Sequence, residues 1–308
     1  MDVINKFAVK AVIYNSKGQL LLQKRDNKPN IPMPNFWNFF GGLVETNETP
    51  IMALKREIKE ELKLTVANNE PKLFEWKYGN EWNSSINYFY PILYDESLDK
   101  LILSEGSDLK WYTLEELIRI NCTPSIFENF SALFNFIKFK IKIDYNNFIS
   151  RLEKMILVNF NLIKKNERVF YSKHNFISFN RQKIFLLREF SIIKSLPIFR
   201  VCMHNNDSEL VHEMLMFHNE NIKVGPLKQE KSSISYNIIS GELLVTLHEK
   251  NDNEFKLNSN LESLNDLNFI RVQSNIPRTI KNITKRCIFV ETNEGPFNDK
   301  DTIWLNKK

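Results

Sequence analysis

The stretch GLVETNETPIMALKREIKEELKL, which spans Gly42 to Leu64, decides how the first half of the chain folds. Thr49 followed by Pro50 is typical of a helix start, because a proline in the first turn costs no helical hydrogen bond. Apolar residues then recur with helical spacing as far as Leu62. The sequence therefore predicts a helix that follows a glycine-containing loop and ends near Leu62.

Three glutamates of this helix project from one face. Glu57, Glu60 and Glu61 stand at positions i, i+3 and i+4, which are neighbours on a helical surface. Carboxylates placed so close repel one another unless a cation lies among them, and hard oxygen ligands suit Mg²⁺. Because Mg²⁺ commonly completes its coordination with waters and substrate phosphates, the cluster favours a diphosphate substrate. A solvated, charged helix face is the alternative interpretation.

The spacing of the whole stretch resembles the Nudix box. Gly42 is followed after five residues by Glu48 and after seven more by Arg56, where the run Arg-Glu-Ile-Lys-Glu-Glu begins. The glycine that the box carries near its end is missing, and Lys63 stands in its place. That departure affects the turn after the helix, where glycine adopts the left-handed conformation most easily. It affects the chemistry of the glutamates less. The joint match favours the resemblance over a solvated face.

The resemblance implies an α/β Nudix fold, with a mixed sheet between helices, and a pyrophosphohydrolase. It implies a Mg²⁺ or Mn²⁺ cofactor, and catalytic roles for the glutamates, with these metal ligands: Gly42, Glu57, Glu60 and Glu61. In the family a further catalytic base can come from a separate loop, and Glu105 is the candidate here. Glu48 and Arg56 are expected to form a charge-assisted pair that ties loop to helix. Direct metal contact by Glu48 stays open.

The implied substrate is a nucleoside diphosphate linked to another moiety. The side chains that could contact it are one arginine and three tryptophans: Arg25, Trp37, Trp76 and Trp82. Aromatic rings can stack on a base or a sugar, and a guanidinium can meet a phosphate. Core packing of the aromatic residues and simple surface exposure of Arg25 are the alternatives.

The residues around this stretch indicate one α/β domain followed by a second domain. β-Branched and apolar runs on either side of a turn predict a hairpin between Phe7 and Lys24, and alternating aromatic residues predict two strands between Phe74 and Tyr94. A lysine- and asparagine-rich stretch follows. We therefore expect three segments: a Nudix domain over residues 1–140, a linker or helical connection over 141–170, and a second domain over 171–308.

The second domain is predicted to be an all-β, cupin-like barrel. A helix from Arg181 to Ser195 precedes several short strand-like runs at near-regular spacing, which is typical of a small barrel or sandwich. Some of these runs resemble the WbuC-like cupins encoded beside surface-polysaccharide genes. The most specific is Glu291-Thr292-Asn293-Glu294-Gly295-Pro296-Phe297-Asn298.

Histidines that would bind a metal in such a barrel are missing after Pro226 and near Pro277. His204 and His212 remain, without an obvious third ligand, and are better explained as hydrogen-bonded barrel residues. A degenerate barrel could serve sugar binding, dimerisation or docking. Three further polar residues could line a small-molecule pocket at its mouth: Arg200, Glu213 and Arg278.

Composition and charge exclude several other classes of protein. The 308 residues carry a net charge of only +5, and the lysines are spread along the chain, so nucleic-acid binding is not expected. The N-terminus does not read as a secretion signal, no apolar run of about 18 residues occurs, and three distant cysteines indicate no disulfide framework. We expect a cytoplasmic protein without membrane contacts that binds a small molecule, with a homodimer left open.

Three functions remain. The first is Mg²⁺-dependent hydrolysis of a nucleotide sugar in surface-polysaccharide metabolism, the sugar being suggested by the cupin resemblance alone. The second is a sugar isomerase or epimerase acting through the cupin-like domain, against which the missing histidines count. The third is a non-hydrolytic nucleotide-binding or regulatory protein, against which the complete glutamate set counts.

Overall fold

Contacts along the chain divide the protein into two compact units. The structure is a computed structural model that describes residues 6–67, 70–79, 84–260, 267–296 and 298–305. The first unit comprises residues 1–155 and 180–189, and the second comprises residues 156–179 and 190–308. The chain therefore leaves the first unit, returns to it and leaves it again.

The first unit contains a mixed sheet and its helices. Its strands are β1 (Lys6–Tyr14), β2 (Leu20–Lys24), β3 (Trp37–Asn38), β4 (Phe74–Gly79), β5 (Ser84–Leu93) and β6 (Asp108–Tyr112). Its helices are α1 (Pro50–Leu62), α2 (Pro124–Phe127), α3 (Phe130–Ile141) and most of α4 (Tyr145–Asn159), with 3₁₀ turns at Leu98–Lys100 and Glu116–Ile118. The strand order is β3-β2-β1-β5-β4, and β6 pairs with β2. Strands β1 and β5 run parallel, and the other described pairs are antiparallel.

Helix α1 packs on this sheet through its apolar face. Leu54 and Ile58 are fully buried and belong to the same core cluster as Val9 and Ala11 of β1. Burying a side chain of this size stabilises a fold by roughly 1.5–3 kcal/mol. The rotation of α1 about its axis is therefore fixed, and with it the direction of its polar face.

The second unit is β-rich. Its elements are β7 (Leu162–Asn166), β8 (Val169–Ser172), β9 (Ile198–Cys202), β10 (Val211–His218), β11 (Lys223–Gln229), β12 (Ile234–Ser240), β13 (Glu242–His248), β14 (Asp252–Asn258), β15 (Phe269–Val272), β16 (Arg278–Asn282), β17 (Cys287–Glu294), β18 (Thr302–Trp304) and a 3₁₀ turn at Asp299–Asp301. One sheet has the order β15-β12-β17-β10-β9-β8-β7, and the other has the order β14-β13-β16-β11-β18. Helix α5 (Arg181–Ile193) begins in the first unit and ends in the second.

One apolar core draws on both sheets of the second unit. Tyr236 and Phe289 come from the seven-stranded sheet, and Leu243 and Ile280 come from the five-stranded sheet. Across the described residues the strands form two open sheets, so the closed barrel predicted from the sequence is not seen. Short strands at regular spacing are shared by barrels and sandwiches, and only long-range pairing distinguishes them.

The stretch expected to be a linker contains more regular structure than predicted. Helix α4 covers residues 145–159, and β7 and β8 then pair with each other. Because β8 also runs parallel to β9, this hairpin extends the seven-stranded sheet. In the described part of the chain, no helix has the length and apolar character needed to cross a membrane.

Candidate active site

The capping of helix α1 sets the frame of the site. Thr49 has an extended backbone, and its hydroxyl oxygen accepts a hydrogen bond from the Met52 amide at 3.3 Å. Pro50 occupies the first turn, where no donor is lost. At the other end Lys63 is left-handed, with φ of 54°, and its amide donates to the Lys59 carbonyl at 3.1 Å. A lysine thus makes the turn for which the box pattern has glycine.

Arg56 joins the loop before α1 to the glutamates on α1. Nε and Nη2 donate to the two carboxylate oxygens of Glu48 at 2.9 and 3.0 Å, and Nη2 also donates to the Leu43 carbonyl at 3.0 Å. Nη1 donates to Glu57 at 2.8 Å and to Glu60 at 3.2 Å. The bond from Arg56 lowers the pKa of Glu48, and the same pairing raises the pKa of Arg56. Bidentate, charge-assisted pairs of this kind fix the relative orientation of the two side chains and also stabilise the fold.

Glu61 is turned inward, toward the sheet. Its side chain is nearly buried, and its oxygens accept from Gln23 Nε2 at 2.9 Å and from the Gly41 amide at 2.7 Å. Burial raises the pKa of Glu61, and these two hydrogen bonds together with nearby Lys10 oppose the rise. The carboxylate therefore fixes the glycine turn.

Gly42 leaves room for Glu57. A Cβ at position 42 would lie 2.4 Å from Oε1 of Glu57, a distance that real non-bonded atoms do not adopt. The Gly42 carbonyl accepts from the Val9 amide at 2.9 Å, which holds the loop on β1. Any side chain at position 42 would therefore displace the carboxylate of Glu57.

Lys10 is a residue of this site that the sequence analysis missed. It lies in β1, and its ammonium donates to the Gly41 carbonyl at 2.6 Å. Burial lowers the pKa of Lys10, and the negative charges of Glu61 and Glu57 oppose that shift. The available signal was a single lysine inside the otherwise apolar strand sequence FAVKAVIY.

The loop that carries Glu105 is held against the end of α1. The Ser104 amide donates to the Glu61 carbonyl at 2.8 Å, and the Ser107 amide donates to the Lys24 carbonyl at 2.8 Å. A Cβ at Gly106 would lie 2.9 Å from the amide oxygen of Gln23, the partner of Glu61. Glu105 itself is exposed. The loop of Glu105 therefore lies against the C-terminal end of α1, next to the backbone of Glu61.

The four residues considered for substrate binding differ in position. Arg25 donates through Nε to the Pro32 carbonyl at 2.9 Å and lies near enough to lower the pKa of Lys10. Trp76 is partly exposed, and its ring lies 4.8 Å from that of Tyr78. Arg25, like Trp76, is partly exposed.

Trp37 occupies the core and not the surface. Its side chain is 9% exposed and packs edge-on against Tyr112 at 4.8 Å between ring centroids. Core packing, the alternative interpretation, describes it better than substrate binding. Phe39 and Phe40, which follow soon after Trp37 in the chain, are likewise fully buried. Trp82 lies outside the described residues.

The carboxylates beside Gly42 fit a hard divalent cation by their chemistry. Glu57 and Glu60 accept from the same Arg56 nitrogen, so their oxygens lie close together, and carboxylate oxygens are the donors that Mg²⁺ prefers. Among the residues that the structure describes, no three His, Cys, Asp or Glu side chains are grouped to hold a metal ion. Glu61 bonds to the glycine turn instead, while Arg56 holds the other two carboxylates.

Comparison with known proteins agrees with this geometry. The family model of the NUDIX domain matches residues 5–133. An uncharacterised Nudix hydrolase of Listeria monocytogenes is 30% identical over 128 residues, which cover 40% of this chain and 73% of that relative. The chain belongs to the Nudix hydrolase family. The N-terminal Nudix domain predicted from the sequence is thereby confirmed.

Two further relatives match shorter parts of this Nudix protein. An uncharacterised Nudix hydrolase of Listeria innocua is 33% identical over 112 residues, which cover 35% of this chain and 64% of the relative. The dihydroneopterin triphosphate diphosphatase of Haemophilus influenzae is 34% identical over 77 residues, which cover 24% of this chain and 45% of that enzyme. The match thus spans less than two thirds of either protein. These relatives support the predicted enzyme class, a pyrophosphohydrolase.

Proposed function

We propose that this Nudix protein is a Mg²⁺- or Mn²⁺-dependent hydrolase that cleaves the diphosphate of a nucleoside diphosphate linked to another moiety. The observation that carries the proposal is the placement of Glu57 beside Gly42, with Arg56 bonded to the carboxylates of Glu57, Glu60 and Glu48. Oxygen donors crowded in this way are stabilised by a cation.

The residues of the site have separate roles in the proposed reaction. Glu57 and Glu60 would hold the divalent ion together with the Gly42 loop, and Glu61 keeps that loop in place through the Gly41 amide. When bound, such an ion neutralises phosphate oxygens and makes a water more acidic. Glu105, which is exposed on the loop next to the end of α1, would act as the base that takes a proton from the attacking water.

The linked moiety that we propose is a sugar. The support is the resemblance of the second unit to cupins associated with surface polysaccharides, and the partly exposed Trp76, which offers a stacking surface beside Tyr78. The Haemophilus relative is named for a pterin triphosphate, so a triphosphate belongs in any substrate test.

The test is a substrate panel with Mg²⁺. Purified protein is incubated with nucleoside-diphosphate sugars, other nucleoside diphosphate derivatives and dihydroneopterin triphosphate, and release of monophosphate or diphosphate is measured with and without EDTA. We expect turnover that EDTA abolishes. Because a metal ion contributes several kcal/mol to such a reaction, Glu60→Gln should lose roughly 100-fold or more in kcat/KM.

Glu96→Gln is the matched control. Glu96 is exposed and pairs with Lys100 at 2.8 Å, and it is not one of the box glutamates, so this variant should keep full activity. Binding of panel members without any turnover would overturn the hydrolase proposal and favour a non-hydrolytic nucleotide-binding protein. Turnover of the pterin or of nucleoside triphosphates, without turnover of any nucleotide sugar, would overturn the proposed sugar substrate alone.

A further inference from the structure

A cavity of about 260 Å³ lies in the second unit and is lined by strands of both its sheets. Alternate residues of a strand face the same side of a sheet. The pairing register places Tyr236, Glu291 and Met214 side by side in one row, and Asn293 and His212 in the next row on the same face. The seven-stranded sheet thus presents a polar wall to the cavity.

Four of the five polar residues that the sequence analysis considered for a pocket line this cavity: Arg200, His204, His212 and Arg278. Glu213 is the exception, because it is exposed and alternates with its cavity-lining neighbours on β10. The two histidine rings stack with centroids 4.1 Å apart.

Arg278 is the most deeply placed cation of this cavity. It is only 4% exposed, and it donates through Nε to the Tyr236 hydroxyl at 2.9 Å and through Nη2 to Oε1 of Gln229 at 3.1 Å. Both acceptors are neutral. A guanidinium has five N–H donors, so Arg278 keeps donors for a further acceptor, and its buried charge favours an anionic one.

Asn293 and Glu291 supply acceptors on the facing sheet. Asn293 is 8% exposed, and its buried Oδ1 has no hydrogen-bond partner among the described residues, while its Nδ2 donates to Glu291 at 3.3 Å. Burial raises the pKa of Glu291, and the charge of Arg278 opposes that rise. Since buried polar atoms are nearly always hydrogen-bonded, the Asn293 oxygen indicates a donor that a ligand would bring.

The charges that line the cavity do not cancel. Three cationic residues, Lys165, Arg200 and Arg278, face two acidic ones, Asp207 and Glu291. Lys165 and Asp207 pair with each other at 2.8 Å, which leaves two guanidinium groups against one carboxyl group. A ligand with one anionic group balances this excess.

We propose that the cavity binds a monosaccharide-sized organic acid, with one carboxylate or phosphate group and several hydroxyl groups. The anionic group bonds to the free donors of Arg278, and the hydroxyl groups donate to Asn293 and Glu291. The cavity volume of about 260 Å³ lies just below the range of roughly 300–1,000 Å³ of drug-sized sites, which suits one small molecule. This inference is independent of the diphosphate chemistry proposed for the first unit.

Calorimetric titration of the full-length protein tests the proposal. The probes are glucuronate, glucose 6-phosphate, neutral glucose and acetate. We expect at least one of the first two to bind, and glucose and acetate to bind about tenfold more weakly or worse, because each lacks one of the two recognised features. The first two probes distinguish a carboxylate ligand from a phosphate ligand. Failure of both to bind at millimolar concentration, or equal binding of glucose, would overturn the proposal.

Two variants locate the bound probe. Arg278→Met should weaken binding roughly tenfold or more, whereas Arg271→Met should not change it, because Arg271 is half-exposed and pairs with Glu294 at 3.1 Å. Glu291→Gln removes the opposing negative charge but keeps a side-chain oxygen that can accept from a ligand hydroxyl. It should therefore tighten binding of the anion, a gain that misfolding cannot produce. If Arg278→Met does not fold, Glu291→Gln decides. Unchanged or weaker binding in Glu291→Gln would contradict the proposed site.

Discussion

Single side chains in the first unit balance a crowded set of negative charges. Arg56 pairs with the outward carboxylates Glu57 and Glu60, and Lys10 lies near the inward carboxylate Glu61. The glutamates and Arg56 lie within one helix, so their spacing predicted them. Lys10 is distant in sequence, and only the pairing of the glycine turn with β1 brings it to the site.

Arg56→Lys should lower the free energy of unfolding by about 1–2 kcal/mol. A lysine keeps the charge, but it cannot bond to both oxygens of Glu48 and at the same time to Glu57. Urea denaturation at low ionic strength measures the change. Arg119→Lys is the control, since Arg119 is exposed at the end of a 3₁₀ turn. Equal stability of the two variants would contradict the role given to Arg56.

At the level of whole elements, the sequence predicted local structure well. Helix α1 was predicted from Thr49 to about Leu62 and spans Pro50–Leu62, and α5 was predicted from Arg181 and begins there. Both helices carry their signals within a few residues, through an N-cap and an apolar period. The pairing of the C-terminal strands into two sheets depends on partners that include pairs more than 80 residues apart, such as His212 and Asn293. No local pattern encodes that pairing.

Lys63→Gly should stabilise the end of α1. A left-handed backbone destabilises the folded state by about 1–2 kcal/mol when the residue has a Cβ. Glycine removes this strain, but it has more conformational freedom in the unfolded chain, which lowers the stability by roughly 0.5–1 kcal/mol. The expected net gain is therefore about 0.5–1 kcal/mol, reduced by loss of the exposed bond from Lys63 Nζ to the Glu60 carbonyl at 3.2 Å. Thermal and urea unfolding measure it.

Lys63→Ala separates the backbone effect from the loss of the lysine side chain. Alanine removes the same charge and the same Nζ bond but keeps a Cβ at φ of 54°. It should be neutral or destabilising, in contrast to glycine. A gain of the same size in both variants would show that the strain at this turn is not what glycine relieves.

At the scale of the whole molecule, the chain path is what the sequence does not reveal. Residues 180–189 return to the first unit, although they follow a hairpin of the second. Gln182 accepts from the Cys122 amide at 3.1 Å and donates to the Ile120 carbonyl at 2.7 Å. Composition places domain boundaries at changes of pattern along the chain, and such a return leaves no change of pattern.

Glu189→Ala should weaken the first unit selectively. Glu189 is 1% exposed, accepts from the Ser131 amide at 2.9 Å and pairs with Arg188 at 2.8 Å. Removing one partner of a buried ion pair costs about 3 kcal/mol or more, and here the Arg188 side chain, which is 12% exposed, would lose its carboxylate partner. Hydrogen exchange followed by mass spectrometry should show faster exchange over residues 120–137 and unchanged protection over 287–294.

Glu254→Ala, at an exposed position of β14, should alter neither segment. Equal acceleration of both segments in Glu189→Ala would mean that the chain opens as one cooperative body, and protection unchanged throughout would mean that residues 180–189 do not stabilise the first unit.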